Sequence, residues 1–570
     1  MNVISMKLKL TLHELGISLM IGLIVGLLMS LVANAFVFGV AYFSGLRTDL
    51  ILFPISIGGN DYSLTPLFVL PAAALLVVFV RKRLNIARFH GPADSIYAAH
   101  RTDNELDVKT GLGSTFIAFI SASGGASVGQ YGPLVHFGAT MGSFFKRWFG
   151  ASATTDIFIG CGVAGAISAG FNAPLAGVIF ALEAILRHFS LRAVAPIAIS
   201  SISASAFSHW LFGSNHAFRV EITNIDLLGL LPPVIMSGPI FGLIAVMFML
   251  SMRYAARLAT TSKLSPLPLA LIAAIGCAGV GVFVPEVLGL GTSVVQSIVS
   301  GGTVPVDLSL LLVLKLFVTA LCIGFGLFGG VFSPAIFLGA VSGAVLATLF
   351  SGYDVGNLST ILIVCGMAAV AAPVLGAPLA AVLIILELTL SYETAVIALI
   401  TVVLSGIVAN VLYGTSFFDR QLLDRGIDIL RGRGHLKMME TPITDLAQND
   451  FVQTSPTTRV KTGLDLLIKH NSSEIYIVDR NGKFAGKTTI VDMLRADPAA
   501  HMSALADLEQ LSIKSDASLL QAIEVASTFV GESIPIIDRE ENVLLGVVTE
   551  SDLFTAYLDL QNNLIDIEKK

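Results

Sequence analysis

The sequence predicts a polytopic α-helical membrane protein that carries a small α/β domain at its C-terminus. Three observations predict it. The 570 residues are 54% hydrophobic and only 13% charged, whereas a soluble domain is about 25% charged. The charge is unevenly placed: residues 1–435 hold 22 Lys+Arg and 19 Asp+Glu, about 9% of the stretch, and residues 436–570 hold 12 and 21, about 24%. Long apolar segments, many rich in the 53 glycines, suit close-packed membrane helices, because small residues let backbones approach. The chain therefore divides into a membrane domain, 1–435, and a soluble acidic domain, 436–570. Neither part is basic enough to bind nucleic acid.

The first element is a retained membrane helix. Lys7, Lys9 and Glu14 precede an apolar run from Leu15 to Tyr42, far longer than the apolar core of about 7–15 residues in a secretory signal. A second apolar run, Leu64–Val80, leads into Arg81, Lys82, Arg83 and Arg88. The positive-inside rule puts that end in the cytoplasm. One crossing back puts the N-terminus there too, and the acidic C-terminal domain is expected on the same side. Cys161, Cys277, Cys322 and Cys365 stand singly in apolar stretches, so no disulfide framework or metal site is expected.

The membrane domain repeats itself. NAPLAGVIFALE at 172–183 and GAPLAAVLIILE at 376–387 share seven of twelve positions at an offset of 204. Upstream, Gly129 and Pro133, followed by Gly138, Ala139 and Gly142, return as Gly330, Pro334, Gly339, Ala340 and Gly343, at an offset of 201. Two matches in the same order indicate duplication, with repeats over about 1–220 and 230–430. Internal repeats with Gly- and Pro-interrupted apolar segments mark transport folds, in which broken helices end near the bilayer midplane. Free N–H groups and the positive dipole end at a helix start suit an anion. The candidate anion path is therefore Gly129, Gln130, Tyr131, Gly132 and Pro133 in one repeat and Gly330, Val331, Phe332 and Ser333 in the other.

GQYGP at 129–133, GFNAPLAGVIFALE at 170–183, GGVFSP at 329–334 and GMAAVAAPVLGAPLAAVLIILELT at 366–389 together resemble the CLC family of chloride channels and proton-coupled chloride transporters. The resemblance covers residues 10–430. It implies a homodimer with one pore per subunit, each built from two inverted-topology halves of tilted and broken helices.

The sequence departs from the family at the residues that carry protons. The family's gating glutamate in GREGP corresponds to Tyr131, and its arginine to Gln130. The inner proton-transfer glutamate of the exchangers corresponds to Ala184, the residue after Glu183. Tyrosine titrates near 10 and alanine not at all, so both proton stations are absent. The family tyrosine that donates its hydroxyl to the central anion corresponds to Phe418, with Phe417 as the neighbouring option. The family's serine in GSGIP falls at Phe89 or His90. Coordination would then rest mainly on the backbone N–H groups of residues 331–333, with Tyr131 able to return one hydroxyl.

Other residues have plainer expectations. Glu183 and Glu387 occupy matching repeat positions, and a structural role accepting backbone hydrogen bonds is favoured over a catalytic one. His90 and His136 are read as packing residues with the capacity to titrate near neutral pH. Lys315, in an apolar run, is expected to snorkel or to pair with an acid.

The C-terminal domain also repeats. IYIVDRNGKFAGKTTIVDML (475–494) matches IPIIDREENVLLGVVTESDLF (534–554), with Asp492 and Asp552 60 residues apart. The pattern is similar to a tandem pair of CBS domains, over about 440–500 and 503–560. In that family pattern Thr489, Asp492, Thr549 and Asp552 would hold an adenine nucleotide. The same residues are sufficient as helix caps, and capping is the favoured reading.

These features predict an anion-conducting protein rather than an enzyme, with no required cofactor. It is expected in a bacterial inner membrane, multi-pass, surrounded by lipid, with both termini cytoplasmic. Chloride should pass without obligatory proton coupling. The alternatives are an H+/Cl− exchanger with an unconventional proton path and a fluoride-exporting relative.

Overall fold

The structure, a computed structural model, describes residues 2–57, 60–101, 104–149, 154–213, 220, 225–353, 356–506, 511–529 and 531–569. The side chains of residues 1–14, and with them Lys7, Lys9 and Glu14, lie outside that description. The chain forms two compact units, Met1–Gly426 and Ile427–Lys570. The division falls ahead of the composition change near residue 435.

The first half of the membrane unit contains α1 (Asn2–Asp49), a hairpin of β1 (Pro54–Ile57) and β2 (Asn60–Ser63), α2 (Thr65–Arg83), α3 (Pro92–His100) and α4 (Val108–Ser123). It continues with α5 (Tyr131–Phe149), α6 (Thr155–Phe171), α7 (Pro174–Phe180) and α8 (Leu191–Phe212), and α7 runs on into a wide π-type turn, Ala181–Leu186. The second half contains α9 (Leu227–Thr261), α10 (Pro266–Phe283), α11 (Thr292–Val299), α12 (Leu308–Gly324) and α13 (Phe332–Leu349), then α14 (Leu358–Leu375), α15 (Pro378–Thr389), α16 (Tyr392–Leu412) and α17 (Phe417–Leu423). Among the described residues, eight helical stretches are long and apolar enough to cross a membrane; α6, α7, α12 and α15 are shorter apolar pieces. Short pieces are what a broken-helix transport fold requires.

The duplication is visible in the packing. A β-carbon on Gly138 would lie 2.2 Å from the carbonyl oxygen of Gly162, and one on Gly339 would lie 2.1 Å from that of Gly366. One turn on, Gly142 meets the Phe158 carbonyl and Gly343 the Leu362 carbonyl in the same way, at 1.9 and 2.3 Å. So α5 crosses α6, and α13 crosses α14, backbone on backbone. The following breaks also correspond. α6 ends on Asn172 in the left-handed region (φ 56°) and α14 on Gly376 (φ 71°), and Pro174 and Pro378 open the next helices. Asn or Gly just past a helix end and Pro just inside the next start are the residues those positions favour.

The second unit holds two copies of one motif. In the first, β3 (Gln453–Thr454) runs parallel to β4 (Glu474–Val478), which pairs antiparallel with β5 (Phe484–Thr489). In the second, β6 (Ile513–Lys514), β7 (Ser533–Ile537) and β8 (Leu544–Thr549) repeat the order and the pairing. The helices are α18 (Gly432–Glu440), α19 (Val460–His470), α20 (Ile490–Arg495), α21 (Leu519–Ala526) and α22 (Glu550–Lys569). Val460, Leu467, Ile475, Ile477 and Met493 form the first core. Leu519, Ile534, Ile536, Val548 and Leu553 form the second. The unit begins before residue 435 because α18 packs on α21 and α22.

Candidate functional site: two helix starts that meet

Gly129 and Gly330 are where the two halves join. Each donates its N–H to the other's carbonyl oxygen, at 2.6 Å both ways. A β-carbon on Gly129 would lie 2.8 Å from the Gly330 oxygen, and one on Gly330 would lie 2.8 Å from the Gly132 nitrogen. No side chain fits there, which is why both positions are glycine. From this clasp α5 starts at Tyr131 and α13 at Phe332. The first N–H groups of a helix have no intrahelical acceptor, and Pro133 and Pro334 carry none. The sequence-predicted residues 129–133 and 330–333 are thus brought together, with two positive helix ends side by side.

Tyr131 closes the space between these starts. It is buried, its ring stacks on Phe171 at 3.7 Å between centroids, and it meets Phe332 edge-on at 5.7 Å. Its hydroxyl donates to the Gly170 carbonyl over a long 3.4 Å, so it is turned toward backbone. Gly170 permits this approach, since a β-carbon there would lie 3.0 Å from the tyrosine ring. Two buried polar atoms beside the stack, the Gln130 side-chain oxygen and the Ser333 hydroxyl, have no hydrogen-bond partner among the described residues. A hydroxyl can donate to an anion, and a carboxamide carries donor hydrogens beside its acceptor oxygen.

The start of α3 lies beside that of α5: a β-carbon on Gly132 would meet Pro92 at 3.6 Å. Asp94 occupies this helix start. It accepts the Gly91 N–H at 2.9 Å, Arg88 at 2.7 and 3.1 Å, and Arg425 at 2.8 Å. Sequence reasoning missed this cluster; its signal was an acid two residues after a Gly-Pro helix start, the position of a capping carboxylate. Phe89 lies three residues ahead of the first residue of α3, Pro92. It stacks on Phe328 at 4.8 Å, carries the Arg81 guanidinium 5.0 Å from its ring centre, and joins the cluster of Val77, Ile86, Ile117 and Ile120. His90 gives its backbone N–H to Ser114 Oγ at 3.0 Å. Phe418 is buried on α17, which packs on α3 and α14, and Phe417 lies beside it with ring centroids 6.0 Å apart.

The paired glutamates cap each other's repeat. Glu183 accepts the N–H groups of Leu379 and Ala380 at 3.0 and 2.9 Å, and Glu387 those of Leu175 and Ala176 at 2.8 and 2.9 Å. Each carboxylate thus sits on the first turn of the other half's short helix, where a negative charge is favoured. Ala184 is buried in the π-type turn beside Glu183. Among the described residues, Lys315 neither snorkels nor meets an acid. It is fully buried, donates to the Val287 and Gly289 carbonyls at 2.8 Å each, and stands 4.7 Å from the centre of the Phe337 ring. Carbonyl dipoles and a ring face replace the carboxylate, because this part of the packing holds backbone free of helix hydrogen bonds.

In the second unit Thr489 and Thr549 are helix caps. Thr489 Oγ1 donates to Asp492 at 2.6 Å and accepts the Asp492 N–H at 3.3 Å; Thr549 does the same with Asp552 at 2.7 and 3.1 Å. Asp552 also accepts Gln448 at 2.7 Å. The first motif holds a buried ion pair that the sequence reading missed: Lys487 Nζ is 2.6 Å from Glu474 and 2.7 Å from the Ser533 carbonyl. Burial holds the lysine below its ordinary range, against the pull of Glu474.

Residues 72–410 match the family described as voltage gated chloride channel. The chain belongs to this CLC family, a family of channels and transporters rather than enzymes, and is a multi-pass membrane protein. Residues 443–499 and 506–559 match CBS domains, so the α/β unit is a CBS pair. Among relatives, a putative ClcB-like chloride channel protein of Ralstonia nicotianae is 29% identical over 359 residues, covering 60% of this chain and 81% of the relative. The voltage-gated ClC-type chloride channel ClcB of Escherichia coli is 28% identical over 364 residues, covering 62% and 85%. The fold is shared with a slow cyanobacterial Cl−/H+ antiporter (TM-score 0.62, 21% identity, covering 72% of this chain and 97% of the other). It is also shared with a eukaryotic CLC transporter (TM-score 0.59, 18% identity, covering 95% and 98%).

Proposed function

We propose that this CLC-family protein is a chloride channel that conducts passively, as a homodimer in a bacterial inner membrane with both termini cytoplasmic. The observation that carries the reading is Tyr131, an aromatic ring packed between the two helix starts where the family resemblance implies a gating glutamate. A coupled exchanger needs a group that proton and anion contest. Tyr131 and Ala184 offer none at neutral pH. The orphaned Ser333 hydroxyl and the first-turn N–H groups of α5 and α13 supply donors for an anion. The relatives named ClcB are called chloride channels, which supports the reading.

The competing reading is proton-coupled exchange by an unconventional path, which the fold shared with a cyanobacterial Cl−/H+ antiporter keeps in view. Chloride flux from liposomes with simultaneous external pH recording separates the two. We expect flux with no proton movement at a fixed ratio. Uphill proton transport driven by a chloride gradient would refute passive conduction. Tyr131→Ala should raise flux by opening the stack, Tyr131→Phe should chiefly change selectivity, and Tyr131→Glu should bring in pH dependence without full coupling. If Tyr131→Ala and Tyr131→Glu leave rate, selectivity and pH profile unchanged, Tyr131 is packing and the path lies elsewhere.

In the CBS pair we read Thr489, Asp492, Thr549 and Asp552 as caps. Calorimetry of the whole protein with ATP, ADP and AMP should give no heat at millimolar ligand; a saturable heat that Asp552→Ala removes would reassign them to a nucleotide site.

A further inference from the structure

α17 is too short to hold itself. Its seven residues make about two turns, well under the length at which a helix is stable alone. Phe417, Phe418 and Leu422 bury one face, which fixes how deep the helix sits. Three ion pairs, each to a different element, fix its tilt. At the start, Ser416 Oγ accepts the Asp419 N–H at 3.2 Å and donates to the Asp419 carboxylate at 2.8 Å. Arg187 holds the other oxygen of that carboxylate. Just past the end, Arg253 of α9 grips Asp424 with two bonds, at 2.6 and 3.1 Å. One residue on, Arg425 donates to Asp94 of α3 at 2.8 Å, where Arg88 also binds.

Arg187 meets its partner from an unfavourable backbone. It follows the π-type turn Ala181–Leu186 and lies in the left-handed region at φ 58°, which residues with a side chain disfavour. The Arg187 and Asp419 side chains are only 20% and 14% exposed. A pair this sheltered is screened less by salt and solvent than a surface pair. The two-pronged contact of Arg253 with Asp424 sets an angle as well as a distance. The partners also matter. Arg187 follows the turn that contains Glu183, the cap of α15. Asp94 sits at the start of α3, beside the start of α5.

We propose that Arg187, Arg253 and Arg425 are positioning residues: by fixing the tilt of α17 through Asp419, Asp424 and Asp94, they hold the Phe418 ring at the anion path and so set which anions pass. The proposal rests on the reading, implied by the family resemblance, that Phe418 borders that path. It does not require that flux be passive. Loss of one pair leaves the apolar face docked but frees one end of α17, so that Phe418 withdraws. A wider path favours larger anions over chloride, since pore diameter is one source of selectivity.

The test is anion flux from liposomes containing the full chain, with thiocyanate and chloride measured on the same preparation and expressed as a ratio. The ratio does not depend on how much protein is folded, so a merely structural role leaves it unmoved. Arg187→Gly removes the guanidinium while glycine suits the left-handed backbone, so the turn is kept. It should raise the ratio by about threefold or more, the lower range of coupling between residues in contact. Asp419→Asn should do the same. The double variant should be no worse than the larger single, because the pair acts as a unit; effects that simply multiply overturn the pairing. Phe418→Ala is the reference and should raise the ratio further. A changed ratio in Phe418→Ala beside unchanged ones in Arg187→Gly and Asp419→Asn overturns the positioning role and keeps the path. An unchanged ratio in Phe418→Ala removes Phe418 from the path and overturns the proposal with it. If Arg187→Gly does not reconstitute, Arg253→Gln and Asp424→Asn carry the same prediction at the other end of α17, and unchanged ratios there overturn it. Proton recording in weak buffer decides passive conduction separately, and stoichiometric proton movement leaves the ratios of the variants to decide this proposal.

Discussion

Both units of the protein are duplications, and they differ in what the two copies kept in common. In the membrane unit the copies share their contacts. The Gly138–Gly162 and Gly339–Gly366 crossings are equivalent, Gly129 and Gly330 trade hydrogen bonds, and Glu183 and Glu387 cap each other's half. In the CBS pair the copies share strand order and caps but not buried charge. Glu474, Tyr476 and Lys487 of the first motif lie where the second has Ser533, Pro535 and Val547, judged by the matching strand registers. The ion pair of the first motif reaches the strand start of the second. Backbone contacts survive duplication as equals because both partners are fixed by the main chain. Side-chain pairs can be held by one copy on behalf of both.

The largest expected effect tests that asymmetry. Lys487→Met leaves Glu474 buried without its cation and should cost about 3–5 kcal/mol. Adding Glu474→Leu should restore most of it. Denaturant unfolding of both single variants and the double variant, followed by a probe in the CBS pair, measures this, and losses that simply add in the double variant would show that the pair is not coupled.

Next come the crossings. Gly138→Ala and Gly339→Ala each drive a methyl into a carbonyl and should cost about 3 kcal/mol, the upper end for overpacking. If the halves are equivalent the two losses match in thermal unfolding in detergent. A loss in only one would break the symmetry claimed for the membrane unit.

The exchanged caps follow. Glu183→Gln and Glu387→Gln keep an acceptor but lose the charge, at about 1–2 kcal/mol each. Nearly equal drops in melting temperature support capping. A change in proton movement in liposomes, without a loss of stability, would assign Glu183 to transport instead.

The smallest effect is in the caps of the CBS pair. Thr489→Val and Thr549→Val should each cost about 1 kcal/mol. Asp552 has the extra Gln448 bond, so Thr549→Val should be the milder. Urea midpoints of the full chain decide the order.

The sequence by itself determined the membrane class, both duplications and the family. Each of these is written in composition or in residues that only one backbone shape accepts. Glycine at a crossing, Asn or Gly after a helix end and Pro at the next start are local demands, so they can be read without coordinates. The family resemblance in the sequence also implies that Tyr131 and Ala184 stand where the exchangers have titratable groups, a matter of chemistry rather than of place. Only the tertiary structure decided where side chains from distant segments spend their polar atoms. It put Glu183 on the start of α15 and Glu387 on the start of α7, gave Lys315 carbonyls instead of an acid, drew Phe89 onto Phe328, and tied Asp94 to Arg425. It also set His90 against His136. These pairings join residues at least 26 apart along the chain, with one or more helices between them, and their energies depend on distances of a few ångströms that no spacing along the chain specifies.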